Sequence, residues 1–247
     1  MKEVRFFFDP DLKGELPKEE VQHAIKVLRL QEGDEIFLMD GKGTFSRAEI
    51  TATSNHHCLY SILERMPQNR ARTTHIHIAV APTKLNDRME WFAEKVTEIG
   101  LDEITFLDCQ FSERKTIKTD RIRKIVVSAV KQSHKAWMPQ VNEMTSFKNF
   151  ILEQEKHDEI ARFICHCYEG EKPFLLEELN NDEPTLEPRE MKGTTVLIGP
   201  EGDFSVDEVK FALDHGFKSV SLGKSRLRTE TAALCAVHMM QIKYGKA

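Results

Sequence analysis

The sequence predicts an α/β protein made of two domains, a smaller and mostly β one followed by a larger one. Residues 1–70 contain short β-branched or aromatic runs separated by turn signals, whereas strands and amphipathic helices alternate farther on. Such alternation favours a largely parallel sheet. The polar, basic segment 65–74 contains Pro67 and shows no periodicity. We therefore place the predicted domains at 1–70 and 71–247.

Length and composition indicate which kinds of protein this chain can be. The chain has 247 residues, which can form one large or two small domains. It is 40% hydrophobic and 30% charged, and no apolar run approaches the ~20 residues that span a bilayer. The first residues lack the apolar core of a secretion signal. These observations predict a cytoplasmic protein.

The N-terminal domain is predicted as a small β-barrel with one helix. A first strand covers 4–8, and Pro17 begins a short helix in which proline occupies the first turn. The strands 34–39 and 44–52 are joined by Asp-Gly-Lys-Gly, a strong hairpin signal. A further strand is expected at 57–63.

The C-terminal domain is predicted to alternate strands with helices. One helix starts at Asp87, which has capping-box spacing with Glu90, and a second starts at Ser205, which has the same spacing with Glu208. Gly100 is expected to end the first of these helices. The predicted strands are 75–81, 104–109, 162–167, 194–198 and 218–222.

Charge is distributed unevenly along the chain. The net charge of -5 argues against extensive coating of nucleic acid. Residues 113–135, however, carry eight Lys or Arg against two acids, which favours a phosphate-bearing partner. The acidic run 177–190 is interpreted as a solvated face.

The five cysteines do not form a metal-binding pattern. Cys165-His166-Cys167 alternates between the two faces of a predicted strand, and no second ligand pair stands at zinc-finger spacing. Buried reduced thiols are therefore expected, and no metal. The cysteines are Cys58, Cys109, Cys165, Cys167 and Cys235.

Two glycine-bearing turns follow predicted strands near the C-terminus. The strand 194–198 runs into Gly199-Pro200-Glu201-Gly202, and the strand 218–222 runs into Gly223. Ligands collect at the carboxyl ends of parallel strands, and glycine lets main-chain groups approach them. Neither turn matches a phosphate-loop motif. Because Glu201 and Asp203 flank the first turn, a cationic nucleoside such as S-adenosylmethionine is preferred over a triphosphate. Two ordinary strand-exit turns remain the alternative.

These turns carry a resemblance to a known family. Ile-Gly-Pro-Glu-Gly-Asp-Phe-Ser at 198–205 and Leu-Gly-x-x-x-Leu-Arg-Thr-Glu-Thr-Ala at 222–232 resemble the paired signature of the RsmE family. That family comprises SPOUT-superfamily enzymes that methylate N3 of a uridine in 16S ribosomal RNA of the small subunit. Weaker matches are His23-x-x-x-Val27-Leu28-Arg29 with Gly33-Asp34, Lys95-x-x-Glu98-x-Gly100 and Lys131-Gln132-Ser133.

The resemblance implies a fold, a cofactor and partners. Residues 1–70 would form a PUA-like RNA-binding barrel, and 71–247 a SPOUT domain with a deep trefoil knot. The knot and the S-adenosylmethionine site would occupy about 195–240. A homodimer acting on 16S ribosomal RNA is implied. The implied cofactor-binding residues are Leu197, Ile198, Gly199, Pro200, Glu201, Gly202, Ser221, Leu222, Gly223, Leu227, Arg228, Thr229, Thr231 and Ala232.

Roles in catalysis and RNA binding are assigned to charged residues. Arg228 is predicted to stabilise charge on the reacting base, the alternative being an ion pair with Glu230 or Glu201. Glu230 and Glu98 are the candidate bases, and neither is preferred. The predicted phosphate contacts are Arg5, His23, Arg29, Lys84, Arg88, Arg114, Arg121, Lys131 and Lys135.

The sequence departs from the family pattern in three places. Asp203 stands where many relatives have glycine, 224–226 replaces a more apolar stretch, and His134-Lys135 replaces Gly-Arg. Three other functions remain open: a non-catalytic RNA-binding protein, a SPOUT enzyme acting on a tRNA ribose, and an enzyme of small nucleotides.

Overall fold

A computed structural model describes residues 6–181 and 192–245. Arg5, a predicted RNA contact, and most of the acidic run 177–190 lie outside these residues. The chain divides into two compact units, which are 1–70 with 127–138 and 71–126 with 139–247. The division differs from the predicted one in that 127–138 belongs to the first unit. No helix within the described residues is long and apolar enough to cross a bilayer.

The first unit contains a four-stranded sheet. Its strands, in spatial order, are β1 (Phe6–Phe8), β2 (Glu35–Met39), β3 (Thr44–Thr53) and β4 (Cys58–Pro67). Strand β1 runs parallel to β2, and the other pairs are antiparallel. The predicted hairpin is present, because Asp40 Oδ1 accepts from the backbone N–H groups of Lys42 and Thr44. Helix α1 (Lys18–Gln22) follows Pro17 as predicted and continues as a π-helical turn, His23–Val27.

The second unit contains a six-stranded parallel sheet. Its strands are β5 (His75–Val80), β6 (Glu103–Asp108), β7 (Gln140–Ser146), β8 (Ile160–Cys165), β9 (Gly193–Ile198) and β10 (Lys218–Val220). Their spatial order is β10-β8-β9-β5-β6-β7. Strand β9 is buried along its whole length, as expected for a central strand covered on both faces.

Helices cover both faces of this sheet. They are α2 (Asn86–Ile99), α4 (Phe147–Gln154), α5 (Leu175–Asn180), α6 (Val206–Asp214) and α7 (Thr229–Tyr244). A further helix, α3 (Thr119–Gln132), has its first residues in the second unit and its last in the first. The connections β5–β6 and β8–β9 move across the sheet in one direction, whereas β7–β8 and β9–β10 move in the other. Right-handed crossovers therefore place α2 and α5 on one face and α4 and α6 on the opposite face. Helix α7 packs with α2 and α5.

Helix ends show which local predictions were correct. The capping box of α6 is confirmed, since Ser205 Oγ accepts from Glu208 N and the Glu208 carboxylate accepts from Ser205 N. The one predicted at Asp87 is wrong, because α2 starts earlier, with Leu85 at the N-cap and no side-chain cap. Gly100 ends α2 as predicted, with φ 112° and its N–H bonded to a carbonyl of the last turn.

Two elements, β7 and α4, were not predicted. Strand β7 has the sequence Gln-Val-Asn-Glu-Met-Thr-Ser, in which Val141 alone is buried. An edge strand needs no continuous apolar run, so the hydrophobic pattern is weak there. Helix α4 follows directly, with Ser146 Oγ accepting from Asn149 N at its start, and it has only eight residues.

Candidate active site

The carboxyl ends of β8, β9 and β10 surround a cavity of about 800 Å³. Its walls come from the three segments that leave these strands and from the first turns of two helices. Arg88 on α2 and Ala232 on α7 complete the lining. The strand-exit residues that line it are Cys165, His166, Cys167, Lys172, Ile198, Gly199, Pro200, Glu201, Asp203 and 220–229.

Most of the predicted cofactor residues meet at this cavity. Those that line it are Ile198, Gly199, Pro200, Glu201, Ser221, Leu222, Gly223, Leu227, Arg228, Thr229 and Ala232. Leu197 does not, because its side chain is fully buried in the core of the sheet. A Cβ placed on Gly202 would lie 3.2 Å from Phe111 Cβ, so this residue packs outside the cavity. Thr231 is also absent from the lining.

A buried hydrogen bond joins the first glycine-bearing turn to Thr229, the first residue of α7. Thr229 Oγ1 donates to the carbonyl oxygen of Gly199 at 3.1 Å, and the bond is buried. A Cβ on Gly199 would lie 3.0 Å from the backbone nitrogen of the fully buried Phe204. No room exists there for a side chain without movement of the turn. Glycine at this position thus permits the close approach that the first turn requires.

The second turn needs glycine because of its backbone conformation. Gly223 has φ 124°, a value that L side chains rarely adopt, although no atom lies within 4 Å of its virtual Cβ. Its N–H donates to Ser221 Oγ at 3.1 Å. The Ser221 backbone also pairs with the segment before α5, through bonds to Pro173 and Leu175. The turn is therefore held on the N-terminal side of the glycine, through Ser221.

One wall of the cavity was not foreseen from the sequence. The residues that follow β8 were interpreted only as a strand with buried thiols, yet Cys167 is exposed and lines the cavity. Asp203, with φ 68°, fixes this wall. Its Oδ2 accepts from Cys167 N at 2.7 Å and its Oδ1 from Phe204 N at 2.8 Å. Tyr168 Oη adds a second link by donating to the Phe204 carbonyl at 2.6 Å.

The cavity is more basic than the sequence argument assumed. Besides the carboxylates of Glu201 and Asp203, five cationic side chains line it: Arg88, Lys172, Lys224, Arg226 and Arg228. The two carboxylates are engaged by backbone amides, since Glu201 Oε1 accepts from Lys84 N at 3.0 Å. The lining therefore carries more cationic side chains than carboxylates.

Arg228 is exposed and precedes the first turn of α7. The predicted alternative of an ion pair with Glu230 or Glu201 is not present. Glu230 lies instead with its Oε1 3.7 Å from Arg88 Nε, and Glu201 holds the Lys84 amide. Within the part of the chain that the structure describes, no hydrogen bond or ion pair engages the Arg228 guanidinium. It is available to an anion or a polar oxygen in the cavity.

The two candidate bases lie in different places. Glu230 is buried beside Arg88, and its Oε2 has no hydrogen-bond partner among the described residues. Glu98 stands at the other end of α2, ten residues beyond Arg88, or about 15 Å along the helix axis. Both Glu98 oxygens lie within 3.2 Å of Lys95 Nζ. The chain thus brings Glu230 near the cavity but not Glu98.

Several predicted RNA contacts of the second unit have partners within the protein. Arg114 donates to the carbonyls of Thr83 and Lys84, and Lys84 Nζ lies 3.1 Å from Glu113. Arg121 is exposed but pairs with Glu90, with 2.6 Å between Nε and Oε1. Arg88 lines the cavity. Of these side chains, Arg114 has the clearest structural role, because it joins the β5 exit to the β6 exit.

The predicted contacts of the first unit differ in exposure. His23 and Arg29 are exposed. Lys131 donates to both carboxylate oxygens of the buried Glu20, at 2.7 and 3.0 Å, so its charge is compensated internally. The assignment of Lys131 as a phosphate contact is therefore not supported by its surroundings. Lys135 is half-buried.

Comparisons with known proteins agree with this architecture. A family model described as an RNA methyltransferase domain matches residues 70–241. A second, described as an RNA methyltransferase PUA domain, matches residues 16–63. A curated relative from Bacillus subtilis, ribosomal RNA small subunit methyltransferase E, is 28% identical over 89% of this chain and 86% of its own length.

Two crystal structures are similar over nearly the whole chain. A probable rRNA-methyltransferase from Porphyromonas gingivalis is 37% identical, with a TM-score of 0.84 and coverage of 97% of this chain and 98% of that one. Ribosomal RNA small subunit methyltransferase E from Neisseria gonorrhoeae, bound to S-adenosyl methionine, is 27% identical, with a TM-score of 0.81 and the same coverage. Since both family models and these relatives agree with the paired motifs, the chain belongs to the RsmE family of RNA methyltransferases.

Proposed function

We propose that the protein uses S-adenosyl-L-methionine to methylate N3 of a uridine in 16S ribosomal RNA. The observation that carries the proposal is the cavity between the two glycine-bearing turns, the first of which is bonded through Gly199 to Thr229 at the start of α7. The Neisseria gonorrhoeae relative binds S-adenosyl methionine, according to its description, and belongs to the same family.

The residues present fit this cofactor. A volume of about 800 Å³ lies within the ~300–1,000 Å³ of typical ligand pockets. Apolar side chains from both turns, Ile198, Leu222 and Leu227, can enclose an adenine ring. Backbone groups beside Gly223 can bind its polar edge, because no atom lies within 4 Å of the position that a Cβ would occupy there. Cationic side chains of the lining other than Lys224 and Arg226 suit the carboxylate of the methionine part.

When bound, the cofactor would supply an electrophilic methyl group on a sulfonium. The protein's own contribution is to hold uridine N3 in line with that methyl group, and such positioning lowers a barrier by ~7–11 kcal/mol. As N3 gives up its proton to solvent water, negative charge develops on the uracil oxygens. The unpaired Arg228 guanidinium at the start of α7 would stabilise that charge. Glu230 would act by holding Arg88 at the cavity.

The remaining parts of the proposal concern domains, topology and assembly. Residues 1–70 would form a PUA-like barrel that binds RNA, and 71–247 the catalytic domain of a cytoplasmic homodimer. A trefoil knot near the cavity is supported by the path of the chain. Strand β10 lies at the sheet edge beyond β8, yet the following helix α7 packs on the central strands β5 and β9 and on α5.

The function is tested by incubating the protein with S-adenosylmethionine and small ribosomal subunits from cells that lack it. The RNA is then digested to nucleosides and analysed by mass spectrometry. We expect 3-methyluridine, formed only when enzyme and cofactor are both present. Ribose methylation would favour the 2′-O enzyme, and the absence of any methyl transfer would favour a non-catalytic RNA-binding protein. Methylation of free nucleotides without RNA would indicate the small-molecule enzyme.

A further inference from the structure

We propose that Lys224 and Arg226 form a phosphate-binding rim that holds the RNA backbone beside the target nucleotide. The proposal rests on the proposed function, since it names residues that would orient the RNA at the same cavity. It assigns a role to the stretch in which the sequence departs from the family pattern.

The first observation is the position of the rim. Both side chains line the cavity, and both are exposed. They lie on the short segment between β10 and α7, with Gly223 on one side and Arg228 on the other. A ligand that enters the cavity from solvent therefore passes these two cations. The site is an entrance to the cavity and does not belong to its apolar interior.

The second observation is that the rim is not compensated inside the protein. No hydrogen bond or ion pair engages Lys224 or Arg226 within the residues that the structure describes. In contrast, Lys131 and Arg121 each hold a carboxylate at 2.6–2.7 Å. Two cations separated by a single residue attract an anionic ligand more strongly than either would alone.

The third observation concerns the acids nearby. Asp203 and Glu201 line the same cavity, but backbone N–H groups occupy both Asp203 oxygens and Glu201 Oε1. These carboxylates serve to hold the walls together. With five cationic side chains against these two carboxylates, the lining is net positive, although the whole chain carries -5.

The chemistry of the rim fits the backbone of RNA. Arginine binds phosphate oxygens through two parallel N–H bonds, and lysine binds them as a compact charge. Contacts of this kind fix register without reading sequence. A base that enters the cavity carries a phosphate on either side. Two cations at the entrance can engage those phosphates while the base lies inside.

The experiment compares the wild-type protein with the double variant Lys224→Ala/Arg226→Ala. Binding to transcribed 16S ribosomal RNA is measured by filter retention at several salt concentrations. For single-stranded RNA the slope of log affinity against log salt changes by ~0.7 per phosphate contact. The loss of two contacts should therefore make the slope of log affinity against log salt about 1.4 less negative. From 50 to 200 mM salt, the wild-type affinity should therefore fall roughly sevenfold more than that of the variant.

Affinity for S-adenosylhomocysteine, measured by isothermal titration calorimetry, shows whether the rim binds RNA phosphates or the carboxylate of the cofactor. We expect the affinity of the double variant for S-adenosylhomocysteine to stay within twofold of the wild-type value. A tenfold or greater loss of this affinity would mean that the rim binds the cofactor carboxylate, and it would overturn the proposal. Lys210→Ala is the matched control, because Lys210 is exposed on α6 and does not line the cavity. It should leave the salt slope unchanged.

Two further outcomes keep the proposals distinguishable. If the wild-type protein methylates ribosomal RNA but the double variant shows the same salt slope and the same KM for RNA, the rim is refuted and the proposed function stands. If the wild-type protein transfers no methyl group at all, the proposed function fails, whatever the rim does.

Discussion

Replacement of His77 by Gln should reduce the loss of stability that the protein undergoes between pH 8 and pH 5. His77 is 3% exposed and lies in β5, at the centre of the parallel sheet. Its Nε2 lies 2.8 Å from Thr105 Oγ1 and its Nδ1 3.2 Å from Thr195 Oγ1. One of these two hydroxyls can donate to the unprotonated ring nitrogen while the other accepts from the protonated one, so both nitrogens of the neutral imidazole are hydrogen-bonded.

Burial lowers the pKa of His77 from 6.5 to about 4, although the Glu103 carboxylate at 3.8 Å opposes the shift. The unfolded chain therefore takes up a proton as the pH falls through 6.5, whereas the folded chain does not until about 4. Stability is fully present above pH 6.5 and is lost as the pH decreases toward 4. From these two pKa values, linkage gives a loss of about 2 kcal/mol at pH 5.

Urea unfolding at pH 8, 6.5 and 5, followed by circular dichroism, measures this quantity. The free energy of unfolding of His77→Gln should change with pH by about 2 kcal/mol less than that of the wild type. His56→Gln, at an exposed position in the first unit, is the matched control and should behave as the wild type. Equal pH dependence in wild type and His77→Gln would refute the assignment of a buried neutral histidine.

Two other substitutions test the site and the core. Gly199→Ala should weaken binding of S-adenosylhomocysteine tenfold or more in calorimetry, because the new Cβ would lie 3.0 Å from Phe204 N; unchanged affinity would place the ligand elsewhere. Asp102→Asn should lower the free energy of unfolding by about 3–5 kcal/mol, since it leaves the Arg72 guanidinium, 2.6 Å away and largely buried, without its charge partner. Lys156→Ala, which removes an exposed ion pair, should cost less than ~1 kcal/mol in the same assay.

Much of the second unit could be predicted because its local signals agree with its packing. Strand β9 contains the β-branched and aliphatic run 194–198, and Ser205 and Glu208 form their capping box from neighbouring residues alone. The glycine-bearing turns were also recognisable, since Gly199 directly follows β9 and Gly223 comes three residues after the end of β10. In each case the residues that determine the structure lie close together in the sequence.

The features that were missed depend on contacts between distant residues. Nothing in the local pattern shows that Asp203 accepts from Cys167, which lies 36 positions earlier, and so the wall after β8 was read as an ordinary strand. The same applies to Lys131, whose partner Glu20 is 111 positions away. Strand β7 was missed because an edge position leaves its sequence polar.

The most direct test of the account is a crystal structure of the protein with S-adenosylhomocysteine. We predict that the ligand lies in the cavity between residues 198–203 and 220–229, with its adenine ring against Ile198 and Leu227 and its polar edge on backbone groups of the two turns. Density for the ligand at any other place, or no binding at millimolar concentration, would contradict the central claim.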